Sequence, residues 1–289
     1  MSLRAAGGNQ RTHMDSLAPE RSPERTTVAF ILSTRRAGST WLNIVLGSHP
    51  WAVNLGEYAR IWLMPGHVAC RLCEADGLPE CDVFAGVGAV PVDDAFGFAA
   101  RRFPGRTIVD ASKQEAWCAR FLGRDDLDVR VIHLVRHPAG YLESELRRRP
   151  ETPFETILAE WQETNERIEA FVTSNAIPHR VVSYEELTER PGDAFPPLCE
   201  FLGGTYDPDT LQYWNYVHHG LGGNGAASLY LRGRKVVKYI TGDDAYYEAL
   251  RGAPTRPDLR WRERISADVI DKAESLPYAA TLRELLRRD

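Results

Sequence analysis

Four short apolar runs constrain this chain more than any other feature. They are Thr26 to Ser33, Arg106 to Ala111, Val129 to Val135 and Arg180 to Ser183, and the first contains Val28-Ala29-Phe30-Ile31-Leu32. A strand with one face in water alternates apolar and polar residues. These runs do not alternate, so each reads as a strand covered on both faces, as in a parallel sheet between helices. Helical spacing fills the intervals. It is clearest from Phe154 to Val172, where Phe154, Ile157, Leu158, Trp161, Ile168, Phe171 and Val172 form one stripe. Asn165 interrupts that stripe and reads as a hydrogen-bonded core residue. A second stripe, from Ser266 onward and broken near Pro277, is expected to pack on the sheet. Strands alternating with helices imply an α/β fold, and 289 residues suit a single core.

Residues 1–25 are polar and rich in Arg, Ser, Pro and Gly, so a disordered tail is expected before a domain spanning 26–289. Residues 64–92 and 218–258 are irregular and rich in Gly and Pro, and read as loop insertions or lids. A net charge of −5 argues against a general nucleic-acid partner. The run Arg147-Arg148-Arg149 reads as a solvated helix face. No apolar run approaches the ~20 residues that span a bilayer, and no secretion signal is visible. Five cysteines, an odd number, do not fit a secreted disulfide scaffold, so a cytoplasmic location is expected.

The first strand ends in Ser33-Thr34-Arg35-Arg36-Ala37-Gly38-Ser39-Thr40-Trp41, and a helix pattern then begins. A strand, a glycine turn, hydroxyl residues and a helix start together form an anion cradle, because the first helical N–H groups and the helix dipole face the anion. Arg36 adds full charge, and Ser39 and Thr40 add hydroxyl donors. A nucleoside-triphosphate loop needs Lys after its last Gly, whereas Ser39 follows Gly38 here. The sheet is therefore P-loop-like without the usual triphosphate chemistry. A second anion site is expected where the strand Val129 to Val135 runs into Arg136-His137-Pro138 and a helix carrying Ser144.

Together the two elements resemble the sulfotransferase superfamily that uses 3′-phosphoadenosine 5′-phosphosulfate (PAPS), specifically its bacterial and carbohydrate-type branch. The resemblance extends through Ser48-His49-Pro50 with Gly56-Glu57-Tyr58-Ala59-Arg60, Val109-Asp110-Ala111-Ser112-Lys113, Tyr184-Glu185-Glu186-Leu187, Gly222-Gly223-Asn224 after His218 and His219, and Trp261-Arg262. It implies that the loop Arg35 to Trp41 holds the 5′-phosphosulfate and that Arg136 and Ser144 hold the 3′-phosphate. Tyr184, Gly223 and Asn224 would also touch the nucleotide. It further implies Glu57 as general base, and Tyr58, Arg60 and Trp62 beside the acceptor.

Three departures stand out, one of them a segment from Arg232 to Tyr247 that is longer than the family's usual lid. His137 occupies a position where relatives usually carry Asp, and the Arg expected after Gly-Gly-Asn is missing, leaving Arg232, Arg234 or Lys235 as substitutes. Arg36 and Lys113 are candidates to neutralise the leaving bisphosphate PAP. Sulfuryl transfer demands no catalytic metal, and none is expected. His49, His133, His137, His218 and His219 are rival bases, but no His stands near Lys113 and Gln114, where other branches of the superfamily place one. The acceptor is expected to be a small-molecule, natural-product or glycan hydroxyl or amine. The alternatives are a nucleotide kinase with a degenerate loop, or an inactive nucleotide-binding protein.

Cys70, Cys73 and Cys81, with His67 before them, have the spacing of a four-ligand zinc site, a disulfide staple or a group of reduced thiols. Cys118 and Cys199 sit in helical patterns and read as small core residues.

Overall fold

A computed structural model of the chain describes residues 25–64, 70, 72–73, 81–223 and 257–288. The expectations for residues 1–24, His67, Asn224, Arg232, Arg234 and Lys235 lie outside the described residues. The four expected strands form, and a fifth joins them. The strands β1 (Thr26–Ser33), β2 (Ala52–Gly56), β3 (Thr107–Asp110), β4 (Leu127–Val135) and β5 (His179–Ser183) make one parallel sheet in the order β2-β3-β1-β4-β5. β1 lies at its centre, and residues Val28 to Leu32 are at most 1% exposed. At about 1.5–3 kcal/mol for each large apolar side chain fully buried, this strand alone is a substantial source of stability.

Helices cover both faces. In chain order they are α1 (Ser39–Gly47), α2 (Arg60–Leu63), α3 (Ala95–Arg102), α4 (Glu115–Ala119), α5 (Pro138–Leu146), α6 (Phe154–Ser174), α7 (Tyr184–Glu189), α8 (Pro191–Phe201), α9 (Trp261–Arg264), α10 (Ala267–Glu274) and α11 (Pro277–Arg288). Val28, Phe30 and Leu32 pack on one side with Phe96, Trp117 and Phe121. Ala29 and Ile31 pack on the other with Leu42, Val45, Phe195 and Leu198. The C-terminal helices break at Pro277 as expected, and Tyr278 and Leu282 pack with Trp161 and Leu142. No described helix is long and apolar enough to cross a membrane.

Asn165 behaves as the sequence implies: its Nδ2 donates to the Trp161 carbonyl at 2.8 Å, and its Oδ1 lies 3.0 Å from His133 Nε2. The Arg147-Arg148-Arg149 run does not form a free solvated face. Arg147 pairs with Glu143 at 3.2 Å, and Arg149 pairs with Glu145 at 2.9 Å and Glu160 at 2.7 Å. Glu143 and Glu145 are themselves buried, so these arginines serve to neutralise carboxylates that the fold has taken out of water.

β2 escapes the sequence reading because it is five residues long and carries Asn54 and Gly56. It lies at the sheet edge, where unpaired backbone groups need cover. Leu221 supplies part of that cover. Its N–H donates to the Leu55 carbonyl at 3.1 Å, and its carbonyl accepts from the Glu57 N–H at 2.7 Å. Gly56 has φ of 71°, and a Cβ there would overlap the Leu221 backbone. Gly56→Ala is therefore expected to cost about 1–3 kcal/mol from backbone strain alone, read as a lowered urea midpoint with an unchanged m value.

Candidate active site

The site forms beyond the carboxyl ends of the strands, where ligands of such sheets bind. The turn after β1 brings the chain back into α1. Gly38 is the N-cap residue with φ of 96°, there is no side-chain cap, and no acidic residue lies in the first turn. Ser39 is buried and Thr40 half-buried at that helix start. Its first N–H groups and positive dipole end are thus suited to an anion. Arg36 adopts φ of 66°, a strained conformation for a residue with a side chain. Ala37 is fully buried. Trp41 packs edge-on against Tyr184 (5.9 Å) and Phe195 (6.1 Å), forming the floor under the loop. Arg35 is exposed, and its charge lies near Tyr141 and Glu160 instead.

β4 pairs with β1 from Thr26 opposite Leu127 to Ser33 opposite Leu134, so Arg36 and Arg136 leave the sheet at the same end. Arg36 Nε donates to Ser144 Oγ at 3.0 Å, which joins the turn after β1 to the second expected anion site. Arg136 is 5% exposed, and its guanidinium lies 5.1 Å from the Tyr184 ring centroid. It donates to the Arg36 carbonyl at 3.0 Å and the Asp258 carbonyl at 2.9 Å. The Asp258 carboxylate also receives Arg260 at 2.7 Å and lies 3.4 Å from Arg136. Burial alone would raise the Asp258 carboxyl. The Arg260 hydrogen bond and the charges of Arg136, Arg260 and Arg147 prevail and hold it well below the usual carboxylate range.

His137, which stands where the resemblance anticipates Asp, performs a capping task. Its Nδ1 accepts from the Ala139 N–H at 3.2 Å, its ring stacks on Trp261 at 4.1 Å, and its Nε2 lies 3.3 Å from Glu274. Burial, with the charges of Arg262 and Arg136, lowers its pKa against the pull of Glu274. Nδ1 accepting from the Ala139 N–H is the contact that a helix cap requires.

The third strand of the site is β3. Buried Asp110 accepts from the Ser112 N–H at 2.7 Å, the Ser112 hydroxyl and Trp117 Nε1 at 2.7 Å. Burial pushes its pKa up to about 6, opposed by those three hydrogen bonds. Ser112 Oγ in turn accepts from the Ala59 N–H at 3.0 Å. This clamp bends the chain so that Lys113, at φ of 61°, reaches Glu57. Lys113 Nζ donates to Glu57 Oε1 at 2.8 Å, and Arg60 donates to Oε2 at 2.8 Å. Burial would raise the Glu57 carboxyl, but the charge and hydrogen bond of Lys113, then those of Arg60, bring it below its ordinary 4.5. Lys113 therefore meets the carboxylate, where the sequence reading aimed it at the leaving group. The start of the second insertion lies over both halves: a Cβ on Gly223 would meet Thr40 at 2.9 Å, and one on Gly222 would meet Arg60 at 2.6 Å.

Two expected acceptor-lining residues sit elsewhere. Tyr58 is 1% exposed with its hydroxyl donating to the Ala95 carbonyl at 3.0 Å. Trp62 donates to the Val90 carbonyl at 2.9 Å and stacks on Trp117 at 5.5 Å. Tyr58 belongs to the aromatic cluster of the core, and half-buried Trp62 packs against it, because large rings gain from such packing. Arg60 remains at the site. The histidines are committed to other tasks. His49 Nε2 accepts from the Asp207 N–H at 3.3 Å, and His218 bridges Asn54 (3.2 Å) and the Tyr213 carbonyl (2.8 Å). His219 Nδ1 lies 3.3 Å from Cys73 and 3.2 Å from Cys81. Sequence reasoning missed Asp258 as the partner of Arg136; its only local signal is Arg260 two residues on.

No protein-family model matches the chain, and no curated protein matches it in sequence. Solved structures do match. A sulfotransferase domain from the curacin biosynthetic pathway superposes with a TM-score of 0.54 at 21% identity, covering 85% of this chain and 98% of that one. The sulfotransferase domain of the Synechococcus PCC 7002 olefin synthase gives a TM-score of 0.51 at 23% identity, covering 90% of this chain and 97% of that one. The fold is that of a sulfotransferase domain. Within the sulfotransferase fold, the helix-capped loop and Arg136 stand on neighbouring central strands, and Glu57 follows the edge strand. Lys113→Met removes the largest charge that lowers Glu57. Carboxyl titration by NMR should then show Glu57 titrating below 4.5 in the wild type and moving upward in the variant.

Proposed function

We propose that the chain transfers the sulfuryl group of PAPS to a hydroxyl or amine of a small-molecule, natural-product or glycan acceptor, with Glu57 as general base. The observation that carries this reading is the convergence of Arg36, Arg136 and Ser144 beside the open N-terminus of α1. The residues suit a nucleotide bisphosphate. Arg136 Nε, Trp261 Nε1 and Thr34 Oγ1 are buried donors with no hydrogen-bond partner among the described residues. The Asp258 carboxylate, gathered by Arg136, Arg260 and Arg147, marks where negative charge is already favoured.

In this reading the turn from Arg36 to Thr40 holds the 5′-phosphosulfate, and Arg136 with Ser144 holds the 3′-phosphate. Trp41 and Tyr184 support these groups from below. Gly223 approaches from the second insertion, Asn224 is assigned to the nucleotide on the resemblance alone, and Arg232, Arg234 or Lys235 stands in for the Arg that the resemblance expects and the chain lacks. The donor supplies an activated sulfuryl group and a bisphosphate that leaves with growing negative charge, which Arg36 is placed to offset. No step calls for a metal. The acceptor proton passes to a Glu57 oxygen, and the low pKa of that carboxyl keeps it ionised at neutral pH. Lys113 holds Oε1 and Arg60 holds Oε2, which fixes the carboxylate plane and leaves a lone pair for the proton.

Calorimetric titration with 3′-phosphoadenosine 5′-phosphate, with 5′-AMP and ATP–magnesium as controls, tests the donor. Binding should require the 3′-phosphate, and Arg136→Ala should weaken it about 10–100-fold, the effect of losing a charge-assisted hydrogen bond. Preference for ATP with magnesium would replace this reading with a kinase. Glu57→Gln should lower kcat by about 10²–10⁴ while leaving bisphosphate affinity within about twofold. Unchanged turnover in that variant would remove Glu57 as base, and no turnover in the wild type with any hydroxyl or amine acceptor would leave a nucleotide binder.

A further inference from the structure

Cys70, Cys73 and Cys81 come from the first insertion, and His219 comes from the start of the second. Their ligand atoms all lie within 4.8 Å of one another. The three thiols are 3%, 5% and 7% exposed, so the group is screened from water. From this geometry we infer that Cys70, Cys73, Cys81 and His219 bind a structural zinc ion that fastens the first insertion to the loop over Glu57. His67 lies outside the described residues, and the imidazole that meets the sulfurs is that of His219.

Three observations carry the inference. The first is distance. A tetrahedral centre with Zn–S near 2.3 Å and Zn–N near 2.05 Å separates sulfur and nitrogen by about 3.6 Å. His219 Nδ1 already stands 3.3 Å from Cys73 Sγ and 3.2 Å from Cys81 Sγ. The second is the set of backbone donors around the sulfurs. The N–H groups of Leu72, Cys73 and Gly220 serve Cys70, and those of Val83 and Phe84 serve Cys81. Amides directed at sulfur orient it, as the outer shell of a metal site does. The third is composition. One disulfide would use two of the cysteines and leave a thiol and an imidazole, whereas one zinc ion satisfies all four groups and closes a Cys₃His set with no open position.

The placement gives the ion a task. The Asn54 side chain donates to the His219 carbonyl at 3.0 Å, fixing the ligand's backbone to β2. Two residues on, Leu221 bonds the β2 edge, and Gly222 lies against Glu57 and Arg60. Zinc would thus hold the segment that borders the carboxylate, without touching reacting atoms. This inference does not depend on the sulfuryl-transfer reading, because metal content is measured without turnover.

The test is elemental analysis of wild-type protein purified without added metal or chelator, then dialysed, together with alkylation of thiols under native conditions. About one equivalent of zinc per chain is expected, with Cys70, Cys73 and Cys81 protected from alkylation until the zinc is stripped. Cobalt exchanged into the stripped protein should give the visible absorption of a tetrahedral, thiolate-bound ion. His219→Ala should weaken zinc binding at least about tenfold, His219→Cys should restore it, and His67→Ala should leave it unchanged. A wild-type zinc content below about 0.2 equivalents with freely alkylated thiols, or a disulfide among the three cysteines by mass spectrometry, would overturn the proposal. Equal retention of zinc by His219→Ala and wild type would overturn the ligand set.

Discussion

The pairing of β1 with β4 is the constraint on which the site depends. Their register is unbroken from Thr26 to Ser33, so the two chain segments that turn away from the sheet do so side by side. Arg36 pays for its position with a left-handed backbone, a strain of about 1–3 kcal/mol. Arg136 donates to the carbonyl of that same residue, and a hydrogen bond from a charged donor contributes about 1.5–3 kcal/mol. The two magnitudes are comparable. The second arginine therefore offsets the strain in the first, and the two expected anion sites form one unit.

The same device recurs at β3. Among the described residues, Lys113 is the other charged residue held at positive φ, and the clamp of Asp110 on Ser112 and Trp117 lies directly before it. An acid buried at the end of a strand sets the direction of a lysine, which in turn sets the ionisation of Glu57. The motif Asp-Ala-Ser-Lys is thus a bent arm with a fixed elbow, and only its last residue reaches the site.

The central sheet was legible because β1, β3, β4 and β5 are apolar runs buried on both faces, and burial of that kind leaves no alternation. β2 was not, since an edge strand of five residues with Asn54 and Gly56 has no such signature and takes its cover from Leu221, far along the chain. The cradle and Arg136 could be placed because each directly follows a strand. Tyr58 and Trp62 could not, because a motif match carries no information about which face of a loop turns inward; packing with Phe96 and Trp117 decided that. His219 and Asp258 meet their partners only through tertiary structure, across separations of more than a hundred residues.

Asp258 has a consequence for how charge enters this pocket. Arg136 is not a bare cation, since a carboxylate belonging to the chain already lies beside it with Arg147 and Arg260 in attendance. An anion that settles between Arg136 and Ser144 meets a guanidinium already partly neutralised by that carboxylate, and gains less than the full attraction of a bare cation. Coulomb attraction scales with charge, so a dianion gains more from what remains of that field than a singly charged visitor. Asp258 also begins the stretch that leads into α9 and Trp261, which stacks on the cap of α5. One carboxylate thus ties the stretch leading into α9 to the arginine that stands at the end of β4.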